Sequence, residues 1–116
     1  MENTIKDTIR LEDDELLILI GKEFSLGITP LNEDEYKKNG KIWFNSKLSE
    51  LQDKICNSPQ IRSAVKSEDI MLCMAIVDVI IGAVTGIAAV AVSVLIMRRG
   101  IENFCKIHWQ EMDKNQ

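Results

Sequence analysis

Apolar residues in the first half of the chain recur at helical spacing. Leu16, Leu17, Ile20 and Phe24 advance by three or four positions, the period that keeps side chains on one face of a helix. Asp13, Asp14 and Glu15 open the stripe, where a capping residue and negative charge suit the positive helix end. Gly27 and then Pro30 supply a stop. The pattern predicts a helix over about 13–26, with residues 1–10 as a polar lead-in or a frayed turn. A second stripe, Tyr36, Trp43, Phe44, Leu48, Leu51 and Ile55, predicts a helix over 32–56. Asn32 is its cap, and Glu35 stands at the third helical position, as in a capping box. Asn39-Gly40 interrupts the pattern, but the stripe keeps its phase across the glycine, so the helix reads as continuous. Gly40 then falls on the face of Tyr36 and Phe44, where a missing side chain permits close packing. Ser58 with Pro59 starts a short helix to about Lys66, and Ser67 is the next candidate cap. No strand-like alternation of useful length occurs. The fold class is all-α, a small bundle of about five helices.

The segment Ile70–Met97 departs from this amphipathic style. Only Asp78, Thr85 and Ser93 are conventionally polar within it, and the 19 residues from Val79 to Met97 carry no charge before Arg98 and Arg99. A bilayer-spanning helix needs about 20 such residues. The favoured reading is therefore a long hydrophobic C-terminal helix over 70–99 that crosses a membrane. Asp78 lies at the edge of the charge-free window, and the two arginines flank its far side, as charges at a membrane boundary do. Gly82 and Gly86 form a GxxxG element, which lets two apolar helices approach closely. Ala75, Asp78, Gly82, Thr85, Ala89 and Ser93 extend that element into a stripe of small or weakly polar residues, a candidate self-association surface. The alternative is a helical hairpin buried in the bundle, with Gly82 and Gly86 marking a turn and Thr85 capping the second arm. Its helices would run over 68–83 and 86–110, hydrophobic nearly all round and hence central. Asp78 would then require an exposed edge or a buried partner.

Three regions follow: an amphipathic N-terminal part over 1–69, the hydrophobic segment over 70–99, and a tail over 100–116. They merge into one domain if the hairpin forms. Of the 32 charged residues, 24 lie in 1–69, one in the apolar run and seven after it. In the tail, Ile101, Phe104, Cys105, His108 and Met112 make a further helical stripe. The net charge is −4, which argues against nucleic acid as a partner, since phosphates demand a basic stripe.

Three cysteines, an odd number without a CxxC pair, do not read as a disulfide framework, and a reducing compartment is expected for the soluble parts. The polar, acidic start has no secretory signal pattern. The membrane reading puts the N-terminal region in the cytoplasm; the alternative is a cytoplasmic protein.

Candidate chemistry is sparse. Cys105 and His108 stand one helical turn apart, but a zinc site needs more ligands and His108 is the single histidine. The acidic clusters Glu12–Glu15 and Glu33–Glu35 sit at helix starts, where acids cap. Lys37, Lys38 and Lys41 interleave with acids as on a solvated helix face. No catalytic, cofactor or metal-binding residue is assigned. Trp43 and Phe44 are the candidate partner contacts, because aromatics anchor interfaces, with core packing as the competing role. The expectation is a non-enzymatic helical membrane-associated protein whose partners are lipid, an unidentified protein and further copies of itself. The second expectation is an all-α interaction or adaptor domain with 70–110 as its core.

Overall fold

The computed structural model describes residues 2–25, 30–84 and 86–114. Among them eight helices and no strand occur: α1 (Glu2–Ile9), α2 (Asp13–Phe24), α3 (Glu33–Cys56), α4 (Pro59–Ala64), α5 (Asp69–Ile80), α6 (Gly86–Arg99), α7 (Ile101–Phe104) and α8 (Lys106–Lys114). The all-α class holds, with more and shorter helices than the expected five. Glu2–Ile9 form a helix rather than a lead-in. Ile5 and Thr8 bury one side of α1, and Thr8 satisfies its hydroxyl by donating to the Thr4 carbonyl at 2.6 Å.

Local signals placed α3 and α4 well. Asn32 Oδ1 accepts from the Glu35 amide at 2.8 Å, and Glu35 Oε1 accepts in return from the Asn32 amide at 3.3 Å. The reciprocal pair satisfies two backbone donors that a helix start leaves free. Ser58 caps α4 through the Ile61 amide, with Pro59 as its first residue. The helix does continue through Asn39-Gly40, and the reason is packing. A Cβ on Gly40 would lie 2.0 Å from the Leu17 carbonyl oxygen, and one on Gly21 would lie 1.8 Å from that of Tyr36. Each glycine of the α2–α3 pair thus receives the backbone of the other helix, and the pair makes the most extensive interhelical contact of the fold. The expected stop at Gly27 lies outside the described residues.

The long hydrophobic helix does not form. α5 ends at Ile80, the chain turns over Ile81–Val84, and α6 starts at Gly86 with φ +65°, a left-handed conformation that favours glycine. At ~1.5 Å per residue, α5 and α6 fall well short of a bilayer core of about 30 Å. No helix among the described residues is long and apolar enough to cross a membrane. A GxxxG seam needs one straight helix, so that element is not presented: Gly82 lies in the turn, and Gly86 begins a different helix. The physical reason is burial. A straight apolar helix has greasy surface on every side, whereas folding back lets α5, α1 and α2 cover α6. Every residue from Ala88 to Ile96 is buried. Its single polar member, Ser93, donates its hydroxyl to the Ala89 carbonyl at 2.7 Å and leaves nothing unsatisfied.

The arginines after the apolar run serve the bundle. Arg98 Nη1 donates to Asp13 Oδ1 at 2.7 Å, and Nη2 donates to the carbonyls of Ile9, at 2.7 Å, and Leu11. It thereby holds the α1–α2 connection against the end of α6. Arg99 stacks its guanidinium over Phe44, 4.9 Å from the ring centroid.

Candidate functional site

The small-residue stripe is dispersed by the turn. Ala75, Ala89 and Ser93 lie inside the bundle, Asp78, Gly82 and Gly86 are exposed, and Thr85 lies outside the described residues. Exposure meets the requirement that Asp78 not be buried alone. Phe44 is 2% exposed in the core beneath Arg99. Trp43 is half-buried, its ring stacked on Phe24 at 4.1 Å between centroids. Lys37 pairs with Asp14 at 3.4 Å, bridging α3 and α2 on the solvated side.

The densest set of side-chain interactions lies elsewhere, where α7 and α8 meet α3 and α4. There two of the cysteines pair, against the expectation from their number and spacing. Cys56, the last residue of α3, and Cys105, between α7 and α8, form a disulfide, with 5.3 Å between their Cα atoms. Cys105 is therefore no thiolate, neither a metal ligand nor a nucleophile. Its helical neighbour His108 turns to Asp53, Nε2 to Oδ1 at 3.0 Å. No group of three or more metal-ligating side chains occurs among the described residues. The remaining cysteine, Cys73, is buried in α5, and burial, helped by the nearby Asp69 charge, pushes its thiol up to about 11. A thiol held neutral at that level is a poor nucleophile.

Three side chains further fasten the tail around the disulfide. Gln52 Nε2 donates to the Phe104 carbonyl at 2.8 Å. Trp109 Nε1 donates to the Cys56 carbonyl at 2.9 Å, which fixes the indole edge against the end of α3. Arg62 of α4 grips Asp113 with both terminal guanidinium nitrogens, at 3.1 and 2.9 Å, and lies over the Trp109 ring at 5.0 Å. The hydrogen bond from Arg62 holds the Asp113 carboxyl below its usual range, and the Arg62 guanidinium is raised in turn.

Between α4 and α8 these residues enclose a groove of about 430 Å³. Trp109 and Val65 are its apolar surfaces, and Lys66 and Lys106 line it from either side. Arg62 and Asp113 neutralise each other, which leaves the two lysines against Glu102 alone. None of those three takes part in an ion pair among the described residues. A second hollow next to it shares Val65, Lys66 and Glu102 and adds Met97 and Ile101, so the depression continues along α7. The groove offers a pinned tryptophan, an oriented arginine and two lysine ammonium groups.

The sequence stripe put Cys105 on the inner face of the tail, but not opposite Cys56. A usable signal existed: with Cys73 inside the apolar run, Cys56 and Cys105 are the two cysteines that flank it, and they meet if the run folds back. Arg62 and Asp113 carried no such signal. Comparison with protein-family models, with curated proteins and with solved structures finds no match to this chain.

Proposed function

We propose that this chain is a non-enzymatic, all-α protein-interaction domain. Segment 70–99 is its core, and the α4–α8 groove receives an acidic, amphipathic segment of a protein partner. The observation that carries the reading is the groove's construction. Trp and Arg are the residues that most often dominate binding energy, and here both are held in place before any partner arrives, which lowers the entropy cost of docking. Apolar side chains of the partner would lie on Trp109 and Val65. Its carboxylates would meet Lys66 and Lys106, the cations in the groove without an acid partner among the described residues.

The test uses two short synthetic helical peptides with leucine at helical spacing, one filled out with glutamate and the other with lysine. The Trp109 indole N–H resonance, assigned through Trp109→Phe, is followed by NMR. The glutamate peptide is expected to move it, the lysine peptide to leave it in place, and Lys66→Glu with Lys106→Glu to abolish the response. Equal responses to both peptides, or none at millimolar peptide, would sink the reading.

A second reading retains lipid as the partner, through the tip of the α5–α6 hairpin. Ile81 and Ile87 are 44% and 38% exposed there, beside the uncrowded Gly82. Flotation with lipid vesicles that is lost in Ile81→Glu would favour it. The sedimentation profile of the same sample reports whether copies associate.

A further inference from the structure

We infer that the Cys56–Cys105 bond is a redox latch on α8, so that the groove exists in the oxidised chain and is dismantled in the reduced one. This inference rests on the groove reading for its consequence but not for its test. The argument starts from how α8 is held. None of its nine residues is buried, and of its apolar side chains only Trp109, half-buried, packs against the core. Its attachments are the Trp109 indole, the His108–Asp53 pair and the Arg62–Asp113 pair. The two ion pairs are largely solvated, and such pairs contribute little. A helix this short is not stable alone in water. The covalent tether stands at its root: Cys105 immediately precedes Lys106, the first residue of α8. The helix bearing one wall of the groove therefore stays docked chiefly because the disulfide keeps it at high local concentration.

Opening the latch needs a reductant of the dithiol class. Its thiolate attacks one sulfur of the bond, forming a mixed disulfide and releasing the other cysteine as a thiolate that takes up a proton. The second thiol of the reductant, losing its own proton, displaces the remaining cysteine, which is protonated in turn. Two electrons pass to the protein, which ends with two thiols, and the dithiol ends as a disulfide. Cys56 is 1% and Cys105 0% exposed, so the reductant reaches them only when α8 lifts away. Reduction should thus run at the pace of α8 opening. Removing the indole or the guanidinium, by Trp109→Ala or Arg62→Ala, should speed it.

The experiment compares the full chain oxidised and after treatment with dithiothreitol, with Cys105→Ser as the unlatched control. Tryptic cleavage after Lys106 is expected to accelerate about tenfold or more on reduction, because the constraint on the tail is gone. The Trp109 indole N–H should move to its solvent position, while the resonances of α2, α3, α5 and α6 stay dispersed. Cys105→Ser should reproduce both effects without reductant. Unchanged protection of Lys106 in the reduced chain would overturn the inference. So would collapse of the whole spectrum, since the bond would then be a cross-link of the entire fold. If reduction frees α8 but the glutamate peptide binds neither form, the latch stands and the groove reading falls. Equal peptide binding by both forms removes the redox control while leaving the groove as a binding surface.

Discussion

Glycine has opposite meanings at different positions of this chain, and only contact distances separate them. Gly40 and Gly21 are where two helix backbones touch, and the atoms a Cβ would strike are main-chain atoms that cannot swing aside. Gly82 has open space around it. Gly40→Ala is expected to cost about 3 kcal/mol, the upper end for overpacking a core, and to lower Tm by ~10 °C or more in a calorimetric scan. Gly82→Ala should leave Tm nearly unchanged. The membrane-seam expectation attached weight to Gly82 and Gly86 because spacing alone makes GxxxG visible. The Gly21–Gly40 pair is invisible to any such pattern, since its members sit on different helices. Only half of it was legible: the unbroken phase of the stripe across Gly40 implied close packing there, but not against which backbone.

At the scale of elements, the chain's helices divide by how they are held. α5 and α6 are held by burial, α2 and α3 by backbone contact, and α8 by one half-buried tryptophan, polar side chains and one covalent bond. That last attachment is sensitive to acid. The Asp113 carboxyl is depressed from its ordinary value of 3.8 by the hydrogen bond from Arg62. A carboxyl whose folded value is depressed adds stability that is complete above the unfolded value and lost as pH falls through the folded one. In a Trp43→Phe background, Trp109 emission is therefore expected to shift to the red as pH drops below about 4. Asp113→Asn should remove the acid-dependent part of that shift. An identical profile in the two proteins would detach Asp113 from the docking of α8.

For the whole molecule, the decisive event is the return of the apolar run upon itself. Extents of 52 × 28 × 22 Å show an elongated bundle, with α6 buried within it. The price of so apolar an interior appears at Cys73, a titratable group with no exposure. Its folded value is raised from 9.0 to about 11, so its neutral form is favoured. The associated stability is fully present below the unfolded value and is lost as pH rises through the folded one. Urea unfolding of the wild type relative to Cys73→Ala should show an extra loss approaching ~1.4 kcal/mol per pH unit above about pH 9. Parallel curves would mean that the core admits the thiolate.

Helix class, the boundaries of α3 and α4, their caps and the apolar stripes were determined by the sequence alone. Each depends on residues within one or two turns of one another, and short-range chemistry such as Asn32 with Glu35 has a fixed spacing. The same sequence left the segment 70–99 undecided, because a long apolar run is equally content in lipid or in a protein core. In the tertiary structure the run folds back on itself, and α1 and α2 cover α6. The tertiary structure also turned Arg98 from a boundary charge into a clamp on the α1–α2 connection, and joined Cys56 to Cys105 across 49 positions. Such pairings depend on which distant surfaces are free to meet once the core has formed, and no local pattern records that.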